Sequence, residues 1–141
     1  MLWPTSSDSS FTISAARTGI ELTSAAALFR AYARTLPVDL APQGFAQELK
    51  SLPGPYAPPE GELLLAKRGD HVLGCIALKA LEPGVAEIKR LFVRPQARGA
   101  GVGKALVSAL LSLARERGYR EVKLDTLPEI DRKSTRLNSS H

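Results

Sequence analysis

An α/β fold built on a mixed sheet is predicted for this chain by three observations. Two alternating apolar runs, "GELLLAK" and "HVLGCIALKAL", flank "RGD", the pattern of antiparallel strands joined by a tight glycine turn. A third strand, "VAEIKRLFV", passes through a glycine loop into residues with helical apolar spacing. The strand "EVKLDTL" beyond that helix then runs parallel to the one before it, because a strand–helix–strand crossover returns the chain in the same direction. Two or more helices are expected on the faces of the sheet.

The elements can be taken in order. "FTISAAR" alternates like a short strand, and "LTSAAALFRAYARTL" has the spacing of a helix that starts near Thr23 or Ser24 and stops before Pro37. A shorter helix fits "FAQELKSL". Six of the ten prolines lie between Pro37 and Pro59, and "LPGPYAPPEG" is expected to be irregular, an ordered loop or a lid, because proline removes donors and fixes φ. The strands on either side of "RGD" come next, followed by "VAEIKRLFV", which ends at Pro95. From Val102, the residues Ala105, Leu106, Ala109, Leu110, Leu113 and Ala114 keep helical spacing, and Gly118 supplies the stop. There is no internal repeat.

Composition bounds the function. At 141 residues, 44% hydrophobic and 23% charged, the chain suits one domain with a true core. Its first residues carry no cationic segment followed by an apolar run, and no stretch is long enough to cross a bilayer, so a cytoplasmic protein with no membrane partner is expected. One cysteine excludes an internal disulfide framework, and with only His71 and His141 no metal-ligand spacing appears, so no metal is expected. The net charge of +5 lacks the dense basic run with interleaved aromatics that grips nucleic acid, and a mild field drawing anionic ligands is the simpler reading.

The loop "RGAGVGK" carries the chemistry. Gly99, Gly101 and Gly103 leave backbone N–H groups uncovered at a helix N-terminus, where the partial charge is positive, and Arg98 and Lys104 flank them. Phosphate is the guest this arrangement favours; a glycine-rich cap without a ligand is the competing reading. A Walker loop would need glycine at Arg98 and Ser or Thr at Ala105, and a dinucleotide fingerprint would need glycine at Lys104, so both common nucleotide motifs fail.

The segment "RGAGVG" resembles the arginine-x-x-glycine-x-glycine motif of the GNAT superfamily of N-acetyltransferases, and "IKRLFVRP" before it and "KALVSALLSLARERGYREVKLDT" after it are similar to that family too. The resemblance runs from about Phe11 to about Pro128. It implies a GNAT-like mixed sheet, and acetyl-CoA as acyl donor. The amides from Gly99 through Ala100, Gly101, Val102 and Gly103 to Lys104, with the Arg98 side chain, would hold its pyrophosphate. The backbone of Leu91, Phe92 and Val93 would pair with the pantetheine arm. The implied reaction moves the acetyl group to an amine of a small molecule or an exposed peptide amine; a catalytically inactive acyl-CoA-binding remnant is the alternative.

Transfer needs a neutral amine, and alkyl amines titrate near ~10.4, so a base or a water relay must accept a proton. Glu87 stands where many members carry a catalytic glutamate and is the candidate base; a carboxylate paired with Lys89 or a nearby arginine is the equal alternative. The oxyanion donor implied by the family is a strand-bulge amide, here Leu91 or Phe92. Cys75, in an apolar strand, and Tyr119, after the helix stop, are read as core. Tyr56 and its prolines either line the acceptor pocket or form a solvated loop, and Lys89, Arg90 and Arg94 either reach ligand phosphates or face water.

The expected organisation is an N-terminal arm over residues 1–10, an incomplete acetyltransferase domain over 11–130, and a tail over 131–141. The resemblance implies a further helix and two more strands after "LDTLP", including a tyrosine that protonates the departing thiolate, and these are not seen in the sequence. The ending "DRKSTRLNSSH" has no apolar periodicity and is the translation of a common short-read sequencing adapter, so a non-native, disordered tail is expected. That tail carries Arg132, Lys133 and Arg136 against Asp131, so the formal charge of +5 falls to +3 without it. Without further strands, "EVKLDTL" would be an open apolar edge, favouring instability or self-association, with a homodimer as one form.

Overall fold

The computed structural model describes residues 11–37, 39 and 44–124, and the backbone of 133–136. Six strands form one sheet in chain order: β1 (Thr12–Ala15), β2 (Glu62–Arg68), β3 (His71–Glu82), β4 (Val85–Val93), β5 (Glu121–Leu124) and β6 (Lys133–Arg136). Every neighbouring pair is antiparallel except β4 and β5, which run parallel across the helix between them. Among the described residues, three α-helices accompany the sheet: α1 (Gly19–Arg34), α2 (Phe45–Lys50) and α3 (Val102–Glu116).

Alternation along the strands divides the core in two. Leu64, Ala66, Ile76, Leu78, Ala86 and Ile88 face α3 and pack on Val102, Leu106, Leu110 and Ala114. Leu63, Leu65, Cys75 and Ala77 face the other way and meet Ala25, Leu28 and Phe29 of α1, with Tyr56. This side chain period of two turns one apolar run into two buried faces, as a sheet covered on both sides requires.

The RGD turn forms as expected: Arg68 pairs with His71, and Gly69 takes a φ of 61° that suits glycine. α3 begins at Val102 and ends in a glycine stop, with the Tyr119 amide donating to the Ala114 carbonyl and Gly118 at φ 93°. Tyr119 is buried against this helix, and its hydroxyl donates to the Glu60 carbonyl at 2.7 Å.

Three expectations are corrected. α1 starts at Gly19, not near Thr23 or Ser24, because Thr18 and Glu21 form a reciprocal cap: Thr18 Oγ1 accepts from the Glu21 amide, and the Glu21 carboxylate accepts from the Thr18 amide. The proline-rich loop contains one regular turn, a 3₁₀ helix over Gly54–Tyr56, which tolerates Pro55 at its start where the missing N–H has no partner to lose. The tail was expected to be disordered and β5 to be an open edge, whereas Lys133–Arg136 pairs antiparallel with β5. The pairing is made by backbone groups, which an edge strand offers to any extended segment. The expected arm over 1–10 and the rest of the tail lie outside the described residues.

A buried carboxylate ties these layers together. Glu62 at the start of β2 accepts two hydrogen bonds from Arg17, at 2.7 and 2.9 Å, and one from Arg117 at 2.9 Å. Arg117, just beyond α3, also donates to the carbonyls of Pro59 and Gly61. Burial alone would push the Glu62 carboxyl up, but the Arg17 bond, the Leu63 amide and Arg117 together hold it below its usual value.

Candidate functional site

β4 is the strand around which the site is built. On one side it pairs with β3 along most of its length, but its parallel pairing with β5 ends at Ile88 and Leu124. Among the described residues, the β4 edge from Lys89 to Val93 therefore has no strand beside it on the β5 side. β4 then turns through Pro95–Ala97 into the glycine loop and α3.

A groove of about 430 Å³ lies where this free edge meets the start of α3. It is lined by Leu91, Phe92 and Val93 from the strand and by Arg98, Gly99, Gly101, Val102, Gly103 and Lys104 from the loop and helix, so every predicted cofactor residue except Ala100 lines it. Gly101 caps α3 without a side-chain hydrogen bond, and no acidic residue stands in the first turn. The first amides of this helix thus keep their unpaired donors and positive partial charge. Arg98 folds back over the strand, its Nε donating to the Val93 carbonyl at 3.0 Å and its guanidinium lying 5.8 Å from the Phe92 ring centroid.

The glycines differ in what they do. Gly99 and Gly101 have φ of 90° and 83°, which a side chain resists. Gly103 lies within α3 at an ordinary helical conformation, and a Cβ there would sit 3.5 Å from Val93 Cγ2, an unremarkable contact. The fold itself gives no reason for glycine at position 103.

A bulge interrupts β4 beside the groove. Ala77 pairs with Lys89 and Cys75 with Phe92, so Arg90 and Leu91 together oppose Ile76. Ile88 and Leu91 consequently both pack toward α3, although three positions apart. Arg90 takes a φ of 59°, the one described non-glycine residue at positive φ.

Cys75 holds the bulge from β3. Its thiol donates to the Arg90 carbonyl at 3.2 Å, and the Phe92 amide is directed at the same sulfur. Burial pushes this thiol up to about 12, which suits the core reading and removes any nucleophilic role near neutral pH.

Arg90 corrects the reading that it reaches phosphates or water. It is buried on the α1 face, and its Nε and one terminal nitrogen donate to the two Glu48 oxygens at 2.9 and 2.7 Å. The guanidinium also lies 5.5 Å from the Phe45 ring centroid. Burial works against its charge, but Glu48 more than offsets this and holds its pKa above the ordinary arginine value. Arg94 does not line the groove either; its Nε donates to the Val72 carbonyl at 2.8 Å.

Tyr56 is not a solvated loop residue. It is 1% exposed, meets Phe29 edge to face, and donates to Glu48 Oε2 at 3.0 Å. Burial, and then Glu48, push its phenol well above the usual tyrosine range. Glu87 lies on the same side of the molecule, close enough to act electrostatically on Tyr56. It is 4% exposed, and the register sets Lys79 on β3 and Lys123 on β5 beside it. These two lysines are its cross-strand neighbours.

No group of three or more metal-binding side chains occurs among the described residues, and no described helix is long and apolar enough to cross a membrane.

Comparison with known proteins places this geometry. Residues 25–138 match the family described as acetyltransferase (GNAT) family. An uncharacterized N-acetyltransferase of Schizosaccharomyces pombe is 36% identical over 122 residues, 84% of this chain and 74% of the relative. Among solved structures, an acetyltransferase of the GNAT family from Staphylococcus aureus superposes with a TM-score of 0.71 at 18% identity, covering 84% of this chain and 74% of that one. An aminoglycoside 6'-N-acetyltransferase solved with coenzyme A gives 0.65 at 21% identity, covering 82% and 61%.

Proposed function

This chain belongs to the GNAT family of acetyltransferases and is an acyl-CoA dependent acetyltransferase, and from that premise we propose that it moves the acetyl group of acetyl-CoA to an amine. The observation that carries the reading is the continuity of the groove from the free β4 edge to the first turn of α3. A strand edge offers N–H and C=O groups to the amides of the pantetheine arm. At its end, the amides of Gly99 to Lys104, of which those opening α3 have no side-chain cap, and the charge of Arg98 meet the pyrophosphate. The similar aminoglycoside acetyltransferase was solved with coenzyme A, which supports the same ligand class here.

Peptide planarity favours Leu91 over Phe92 as oxyanion donor. The Arg90 carbonyl points to Cys75, so the Leu91 N–H, trans to it in the same peptide, points away from β3 and toward the open edge. The Phe92 amide is turned toward the Cys75 sulfur. In the reaction, the neutral amine attacks the thioester carbonyl carbon and a C–N bond forms. The carbonyl oxygen takes negative charge, which the Leu91 N–H stabilises. Collapse breaks the C–S bond, the coenzyme leaves as thiolate, and the surplus amine proton passes to solvent or base.

Glu87 is the proposed base. It lies four residues before Leu91, on the order of 10 Å along the strand, so the proton travels through water rather than by direct contact. The amine acceptor approaches from the side covered by α2 and the proline-rich loop. The reading as an inactive remnant finds no support in the family match or the groove. Release of coenzyme A thiol from acetyl-CoA, measured across a panel of primary amines, tests the proposal. Saturable release with at least one amine is expected; tight acetyl-CoA binding with no release for any amine would overturn it.

A further inference from the structure

We propose that Glu48 and Arg90 form a latch that keeps the β4 bulge in its catalytic shape, so that Arg90 is a positioning residue. The inference rests on the reading of Leu91 as oxyanion donor. A φ of 59° is unfavourable for arginine, and the usual occupants of such a site are glycine or asparagine. Something must therefore hold Arg90 there. Its side chain donates to both Glu48 oxygens and lies 5.5 Å from the Phe45 ring centroid, and Tyr56 donates to the same Glu48 Oε2 that accepts from Arg90 Nε.

The latch and the bulge depend on each other. In an unbroken strand, alternation after Ile88 and Lys89 would send Arg90 to the α3 face, away from Glu48 on α2. The left-handed turn at Arg90 swings the guanidinium to the α1 face, where the carboxylate waits. The same turn sets the plane of the Arg90–Leu91 peptide, with its carbonyl on Cys75 and its N–H toward the groove. Loss of the ion pair lets Arg90 relax toward an extended backbone, and the Leu91 N–H then leaves the groove. α2 thereby controls a donor that it does not touch, and a displacement of α2 on the acceptor side changes the rate of transfer more than the affinity for acetyl-CoA.

Two double variants separate this role from the cost of an unpaired buried charge. Glu48→Gln with Arg90→Gly and Glu48→Gln with Arg90→Met both remove the ion pair, leave neither partner's charge buried alone, and keep an acceptor for the Tyr56 hydroxyl. Only glycine accepts a positive φ freely. The probe is acetyl-CoA labelled with carbon-13 at the carbonyl, whose resonance moves downfield when the oxygen accepts a hydrogen bond.

The wild-type protein and the glycine double variant should shift this resonance alike. The methionine double variant should bind the probe with little change in affinity but lose the shift, and its kcat should fall about 100-fold, the effect of removing one oxyanion donor. Equal shifts in both double variants would overturn the latch alone. Wild-type binding with no shift would overturn the Leu91 assignment, and the latch with it.

Discussion

The thiol of Cys75 and the carbonyl of Arg90 lie 3.2 Å apart, and this contact fixes the direction in which the next amide points. Replacing Cys75 with valine keeps the site apolar, with a slightly larger side chain, but removes both the donor to Arg90 and the sulfur that faces the Phe92 amide. The carbonyl is then buried without its partner. For Cys75→Val, kcat for acetyl transfer should fall by about tenfold or more with little change in KM for acetyl-CoA, and Cys75→Ser, which restores a donor, should recover most of it. Equal loss in the two variants would argue against this contact as the aiming device.

The glycine loop allows a test in which stability and binding move in opposite directions. Gly103→Ala places a methyl in ordinary contact with Val93 and replaces a poor helix former by the best, so the melting temperature should hold or rise, by roughly 0.5–1 kcal/mol of stability. The same methyl enters the groove where the pyrophosphate approaches the backbone, so affinity for acetyl-CoA should fall. Gly101→Asp adds a like charge and, at φ 83°, some backbone strain as well, and should weaken binding by about 100-fold, roughly 3 kcal/mol, in a protein that a thermal melt shows to be folded. Calorimetric titration with acetyl-CoA checks both; unchanged affinity in either variant would remove the loop from the donor site.

The strand order around β4, the glycine loop and the start of α3 were legible because each depends on local pattern: alternation, punctuation by glycine and proline, and 3.6-residue spacing. The start of α1 is also legible in "TGIE", where the capping box lies, although the regular apolar spacing begins only downstream of it. The bulge left a fainter trace, since Lys89 and Arg90 together separate the apolar residues Ile88 and Leu91, one position too many for alternation. What no pattern carried was the partner of Arg90. Glu48 lies 42 residues earlier on a short helix, and their pairing follows only from how α2 sits on the sheet. The same is true of Glu62, whose two arginines come from opposite ends of the chain.

Glu87 as base predicts a change in rate without a change in donor binding. Glu87→Gln keeps the shape and removes the proton acceptor, so kcat should fall by about 100-fold while the affinity for acetyl-CoA holds. The residual rate should climb steadily with pH toward the amine's own titration near ~10.4, because the acceptor then loses its proton without help. A variant with the wild-type kcat at neutral pH would show that Glu87 only balances Lys79 and Lys123 across the sheet.

Glu62 makes the corresponding prediction for stability. Because the Arg17 and Arg117 contacts outweigh burial, its folded-state pKa lies below the ordinary 4.5. A carboxyl of this kind contributes stability in full above its unfolded pKa and loses that contribution as pH falls through the folded one. Glu62→Gln leaves two arginines facing a neutral amide. The cost should be roughly 2 kcal/mol near neutral pH, short of the ~3–5 kcal/mol of a fully buried pair because the Arg17 side chain is 49% exposed. The gap between wild type and variant should be constant from pH 8 down to about 5 and close below that, as Glu62 takes up its proton. Denaturant melts at a series of pH values measure the gap, and one that persists undiminished well below the folded pKa would show that the carboxylate charge is not what holds Arg17, β2 and the end of α3 together.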